Sequence, residues 1–324
     1  MKICIVGAGA IGGFLGTRLA ISGFEVSMLA RGPHFKAMKE NGVTLTEKHN
    51  KTIVKVPLSD DPSSFGVQDF VILTLKSPSL EKALSNLQLL FDDQTTLVTA
   101  MNGIPWWFFE SLDGPLRGCR LETIDFKRKP ASIFSSDRII GCVVHAAATV
   151  DQPGIIKHVS GDLFIVGEAD RSVKTRTVQL SEAINSTNLK SKLTKDIHSE
   201  IWSKLLGNMS MGPISTLTKL SLSGIAHDPD ARNLCISMIE EAEKIGDRLG
   251  LPLKMSASSR VDLAAELGDF KPSILQDLEK NRPMEIDALI GVVRELGELL
   301  NIPTPTINTV LSLQRAQARF VGLI

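Results

Sequence analysis

Two hydrophobic rhythms divide this chain. Residues 2–6 form a short apolar run rich in β-branched side chains, residues 10–22 place Ile11, Phe14, Leu15, Leu19 and Ile21 at helical spacing, and Glu25–Leu29 is a second strand-like run. Strand, turn, helix and strand within about 30 residues is the pattern of a βαβ unit. Further strands are predicted at Val43–Thr46, Ile53–Pro57, Asp69–Leu75, Thr96–Ala100, Ile139–Ala147 and Leu163–Val166, with helices at Phe35–Asn41, Leu80–Phe91 and Val173–Asn185. Such alternation predicts an α/β fold, a doubly wound and mainly parallel sheet covered by helices.

Near residue 195 the rhythm changes. From Ile197 onward the apolar spacing is helical, with breaks predicted only at Gly212-Pro213, Gly250-Leu251-Pro252, Lys271-Pro272 and Pro303–Pro305. Leu289, Ile290, Val293, Leu296 and Leu300 fall on one face of the stretch Ile286–Leu300. Two domains follow, residues 1–195 and a mostly α-helical 196–324, which suits a length of 324 residues at about 150 per domain. One segment fits neither rhythm. Ile104–Asp137 holds Pro105-Trp106-Trp107-Phe108-Phe109 and the basic residues Lys127, Arg128 and Lys129. It reads either as a core-packed excursion with an exposed basic turn or, since clustered aromatics favour interfaces, as a lid or homodimer contact; the sequence leaves both open.

Charge narrows the partners. Lys+Arg and Asp+Glu are both 36, so nothing global points to nucleic acid or an anionic membrane surface. No run of about 18 apolar residues predicts a membrane span, and the chain opens on a strand rather than a signal-peptide pattern, so a cytoplasmic location is expected. Cys4, Cys119, Cys142 and Cys235 are scattered, without CxxC spacing or a nearby His cluster, which predicts reduced thiols and no metal site. His145, His158 and His198 suggest no role by their spacing.

Gly7-Ala8-Gly9-Ala10-Ile11-Gly12 follows the first strand and opens the first helix, the context in which GxGxxG binds a dinucleotide. The first glycine allows the tight turn, the second admits the pyrophosphate to the backbone, and the third lets helix and strand approach; the helix N-terminus adds N–H donors and a positive dipole end. The N-terminal domain is therefore a Rossmann domain. An NAD enzyme would carry Asp or Glu at the end of the second strand; here that strand runs into Ala30-Arg31-Gly32. A guanidinium suits a 2′-phosphate that a carboxylate would repel, so NADP(H) is the expected cofactor. Lys76 and Asn102 each close an apolar strand at the carboxyl edge of the sheet, where ligands of such sheets bind.

In the helical half, Lys204 and Asn208 lie four apart and share a helix face, and Glu285 sits in Pro283-Met284-Glu285-Ile286-Asp287. Spacing alone gives these no function. The chain as a whole, however, resembles the ketopantoate reductase family (2-dehydropantoate 2-reductases). Gly7–Gly13, Arg31, Thr74-Leu75-Lys76, Asn102-Gly103, Trp202-Ser203-Lys204-Leu205, Asn208, Ser273-Ile274-Leu275-Gln276-Asp277 and Glu285-Ile286-Asp287 carry the likeness, in order and nearly to the C-terminus. The resemblance implies a Rossmann domain followed by a helical domain, an active site in the cleft between them, and NADPH-dependent reduction of the branched 2-oxo acid 2-dehydropantoate to pantoate, a step toward pantothenate and coenzyme A. It implies Lys204 as general acid and Glu285 as the group holding substrate and lysine. It further implies Asn102, Asn208 and Ser273 as substrate ligands, and Lys76 as a residue of the cofactor side.

Three features depart from the family pattern. Gly212 stands where a second substrate-facing Asn is common, Asp269-Phe270-Lys271-Pro272 lacks an Asn often found before Ser273, and segment 104–137 is longer than in compact members. Fewer amides point to a different 2-oxo acid as the alternative substrate. A non-catalytic NADP(H)-binding sensor is the competing reading from another class, against which Lys204 and Glu285 argue.

Overall fold

The computed structural model describes residues 1–48, 50–76, 79–80, 83, 86–125, 134–253 and 255–323. Lys127, Arg128 and Lys129, and part of the helix expected over Leu80–Phe91, lie outside these residues; Leu80, Ala83 and 86–90 are helical. By contacts the chain forms two compact units, Met1–Met101 with Lys129–Ile197, and Asn102–Arg128 with His198–Ile324.

In the first unit the opening apolar run is β1 (Lys2–Val6), followed by α1 (Ala10–Ile21) and β2 (Glu25–Leu29), with β1 and β2 parallel from Lys2 opposite Glu25 to Val6 opposite Leu29. Next comes α2 (Gly32–Asn41), which starts earlier than its apolar period because Pro33 presets the first turn. Three strands, β5 (Leu58–Ser59), β6 (Phe70–Leu73) and β7 (Thr96–Thr99), and the start of β8 (Ile139–Gln152) complete a parallel row, β5-β2-β1-β6-β7-β8. Chain order reverses between β1 and β6, and at such a switch point a crevice opens beyond the strand ends. All of β6 and β7 is buried, which is why β6 reads as an unbroken apolar run and β7 as Leu97-Val98 between two buried threonines.

Beyond β8 the sheet departs from expectation. The two predicted strands Ile139–Ala147 and Leu163–Val166 are parts of one long antiparallel hairpin, β8 with β9 (Ile155–Glu168). Its outer half mixes small, apolar and polar residues and is mostly half-exposed or exposed, so it lacks a continuous apolar signal by which strands are read. Along β9 lie β3 (Val43–Glu47) and β10 (Lys190–Leu193), both parallel to it. The run expected over Ile53–Pro57 is instead β4 (Asn50–Val54), an exposed edge strand antiparallel to β3. The last helix of this unit, α3, spans Thr175–Asn185. Phe14, Leu15 and Leu19 of α1 pack with Ile3, Ile5, Met28, Ile72, Val98, Ile156 and Phe164 of the sheet in one buried core.

The second unit is helical: α4 (Ile197–Thr218), α5 (Leu222–His227), α6 (Pro229–Arg248), α7 (Ala257–Ala265), α8 (Ser273–Glu279), a π-turn Asp287–Gly291 leading into α9 (Val292–Leu300), and α10 (Pro305–Phe320). The breaks predicted at residues 250–252, 271–272 and 303–305 fall between helices. That at Gly212-Pro213 does not, and α4 runs through it. Proline costs a helix interior about 3 kcal/mol. Every residue from Met209 to Thr216 is buried, so packing of that turn outweighs the lost hydrogen bond. Buried Glu241 of α6 accepts the Thr306 and Ile307 N–H groups at 2.8 and 3.0 Å, which caps α10 from inside the unit.

The aromatic part of the excursion, residues 104–125, belongs to this unit. Trp107 and Phe108 are fully buried and set edge-on against His198, while Glu295 of α9 accepts the N–H groups of Glu122 and Thr123. Of the two readings of the Trp-Phe cluster, the core-packed one describes where these rings lie. No helix among the described residues is long and apolar enough to cross a membrane.

Candidate active site

Gly7–Gly12, Arg31 and Lys76 fall in the first unit; Asn102, Lys204, Asn208, Ser273 and Glu285 fall in the second.

The chain leaves β1 through Gly7, whose φ of +99° needs glycine. The turn that follows is tied down on several sides. Gly7 and Ala8 donate their N–H groups to the Leu29 carbonyl at the end of β2 (3.1 and 2.9 Å). The Thr74 hydroxyl, just past β6, donates to the Gly7 carbonyl (2.7 Å). His34 of α2 donates from Nε2 to the Ala8 carbonyl (2.8 Å), and its Nδ1 accepts the Gly154 N–H from the β8–β9 turn (2.9 Å). An accepting Nδ1 fixes the imidazole as neutral, and burial lowers its pKa from 6.5 in keeping with that form. With the Gly7 and Ala8 carbonyls held, the first-turn N–H groups of α1 face outward. No side chain caps them and no acid stands in that turn.

The glycines separate by task. A Cβ on Gly12 would overlap the Thr74 hydroxyl and the Gly7 carbonyl, so glycine there serves helix packing. At Gly9 the nearest atom to such a Cβ is 4.0 Å away, so no protein neighbour demands a glycine. Space kept open at an uncapped helix N-terminus fits a dinucleotide pyrophosphate. Beyond β2, Arg31 is exposed and opens α2, with no ion pair among the described residues. Lys76, half-buried, follows β6 on the same strand-end side as Gly7.

In the second unit the pattern of α4 is informative. Ile201, Trp202, Leu205, Leu206, Met209 and Ser210 are buried, whereas Ser203, Lys204, Gly207 and Asn208 are half-exposed. Between Ile201 and Ser210 the helix thus keeps one strip open, bearing an ammonium and an amide four residues apart. Buried Glu285 lies just before the π-turn Asp287–Gly291, a form of helix enriched at functional sites. Asn102, half-buried, is brought to this segment by its neighbour: Gly103 has φ +85°, and a Cβ on it would overlap the Ala288 carbonyl. Ser273 is exposed in the first turn of α8. The following residue, Ile274, packs against α4 so closely that a Cβ on Gly212 would stand 3.0 Å from its Cγ2. Glycine at 212 therefore lets α8 sit against α4.

Three residues of these regions escaped the sequence reading. Thr74 was part of a motif but had no assigned role, His34 carries no pattern, and Arg260 of α7 donates from Nη2 to the Ser203 hydroxyl at 2.6 Å. Each acts through a partner far along the chain, which no local spacing announces.

Comparison with known proteins adds the following. Residues 3–107 match the family model "Ketopantoate reductase PanE/ApbA" and residues 196–318 its C-terminal model. A 2-dehydropantoate 2-reductase of Mesorhizobium japonicum is 43% identical over 98% of both chains. Among solved structures, a protein of Ralstonia solanacearum assigned as a ketopantoate reductase is 39% identical, with TM-score 0.95 over 99% of both chains. A D-mandelate dehydrogenase solved with NADH and anilino(oxo)acetate shares the fold at 21% identity, with TM-score 0.86 over the whole of both chains.

Proposed function

The chain belongs to the ketopantoate reductase family of nicotinamide-dependent oxidoreductases, and from that premise we propose that it reduces 2-dehydropantoate to pantoate with NADPH, with Lys204 as general acid. The observation that carries this reading is the open strip of α4, where Ser203, Lys204, Gly207 and Asn208 stay accessible between buried neighbours.

Gly7 to Gly12 would hold the dinucleotide pyrophosphate, Arg31 its 2′-phosphate, and Lys76 would serve the cofactor side. When bound, the reduced nicotinamide supplies a hydride to the carbonyl carbon of the substrate. Lys204 then meets the negative charge growing on the carbonyl oxygen and transfers its proton there, giving the 2-hydroxy acid. The buried Glu285 carboxylate favours the charged, oriented form of that lysine. Asn102, Asn208 and Ser273 supply uncharged donors that fix the substrate.

Gly212 favours a second reading, a different 2-oxo acid. The position offers no side chain, and its space is taken by Ile274. One assay decides between them: purified protein with NADPH and a panel of 2-oxo acids, followed by loss of NADPH absorbance. Highest kcat/KM on 2-dehydropantoate supports the first reading, and preference for another acid supports the second. Tight NADPH binding without turnover of any acid overturns both and leaves a sensor.

A further inference from the structure

Beside Lys204 the structure holds a second cation that no part of the proposed reaction uses. Arg260 rises from α7, half-buried, and its guanidinium lies along the open strip of α4. Nη2 donates to the Ser203 hydroxyl at 2.6 Å, and Nη1 is 3.9 Å from where a Cβ on Gly207 would stand. Ser203 and Gly207 are four apart, as are Lys204 and Asn208, so the two cations address adjacent rows of one helix surface.

The electrostatics of Arg260 are unbalanced. Among the described residues no carboxylate lies within ion-pair distance; Asp262, on the same helix, is taken by Arg232 at 2.7 Å. The Nε–H is enclosed and meets no acceptor. Burial pulls the guanidinium pKa below its ordinary value, as expected for a cation removed from water with a neutral hydroxyl in return. Leaving a half-buried charge without a counter-ion costs stability, and a ligand anion removes that cost. Gly207 contributes by absence, since any side chain there would stand against Nη1.

We propose that Arg260 is the anchor for the substrate carboxylate, and that it selects 2-oxo acids over uncharged carbonyl compounds. The inference rests on the reading of the Lys204 strip as the substrate face. In a 2-oxo acid the carboxylate is bonded directly to the carbonyl carbon. A molecule whose carbonyl oxygen meets Lys204 therefore has its negative charge only a bond farther on, within reach of the adjacent row. A planar fork of donors matches that group better than an ammonium would.

The test crosses protein and substrate changes. Wild type, Arg260→Gln and Arg260→Lys are assayed with the best 2-oxo acid of the panel and with its methyl ester. For Arg260→Gln, kcat/KM on the acid should fall about 100-fold, mostly through KM, as for loss of hydrogen bonds to a charged group. Its KM for NADPH and its rate on the ester should stay at wild-type values. Arg260→Lys, which keeps the charge and loses the fork, should fall in between, and it replaces the Gln variant if that one does not fold. Equal losses on acid and ester would make Arg260 a packing residue and overturn the proposal, as would an unchanged KM for the acid. A wild type that turns over no 2-oxo acid would refute the underlying reading itself, a different outcome from active wild type with indifferent variants.

Discussion

In the first unit the proposed cofactor contacts are chiefly main-chain N–H donors at the start of α1, shaped by glycines and braced by Thr74 and His34. In the second the proposed substrate contacts are side chains: Asn102, with Lys204 and Asn208 from α4, Arg260 from α7, Ser273 from α8 and Glu285 before the π-turn. The first arrangement suits a phosphate, met by backbone and dipole within a few residues. The second draws on side chains far apart along the chain, from Asn102 to Glu285, none meaningful alone. Main-chain recognition tolerates change around it and resists change of its glycines. Side-chain recognition can be retuned one residue at a time.

The comparison can be broken first at Lys204. Lys204→Ala should lower kcat about 1,000-fold, the range for losing a general acid, while a fluorescence titration finds NADPH binding unchanged. If cofactor affinity fell in parallel, the division of labour between the units would be wrong. Arg31 tests the side chain proposed to meet the 2′-phosphate. Arg31→Gln should weaken NADPH about 10- to 100-fold, as for a lost charge-assisted contact to phosphate, and leave NADH unaffected. An equal loss for both cofactors would remove Arg31 from the 2′-phosphate.

A paired glycine substitution sharpens the contrast between folding and binding. Gly12→Ala overpacks α1 against Thr74 and the Gly7 carbonyl and should cost about 1–3 kcal/mol, read as a lowered Tm of the free protein. Gly9→Ala meets nothing within 4 Å except the Gly7 carbonyl at its limit, so the free protein should melt like wild type while losing the stabilisation that NADPH gives. Unchanged NADPH stabilisation in Gly9→Ala would mean the open space is not the pyrophosphate site.

The smallest effect expected is that of pH on His34. Burial lowers its pKa, so its neutral form is favoured by folding. The stability this gives is complete above the ordinary value of 6.5, and it is lost as pH falls from there toward the folded value. Protonation would also put a hydrogen on the nitrogen that accepts from Gly154. Chemical denaturation across this range should show the loss in wild type and a flatter profile in His34→Gln, whose amide can both accept and donate as the neutral ring does. Identical profiles would remove His34 from the pH response.

Local pattern was not enough for β5 or β10, but it was enough for β1, β2, β3, β6 and β7, for the glycine turn with its helix, and for the absence of an acid beside Arg31. Each is local: a strand buried on both faces needs an unbroken apolar run, and a phosphate loop needs glycine at fixed steps, so the requirement is written into neighbouring positions. It also marked Lys204 and Asn208 as sharing a face, which helical geometry guarantees, but supplied their meaning only through resemblance. Tertiary structure decided that residues 102–125 join the helical unit, that α4 continues through Pro213, that β8 and β9 extend into one long hairpin, and that Arg260 reaches Ser203. These outcomes balance a local preference against burial or pairing with residues far along the chain. Spacing within one stretch carries no trace of the partner, so only the packed protein shows which side prevailed.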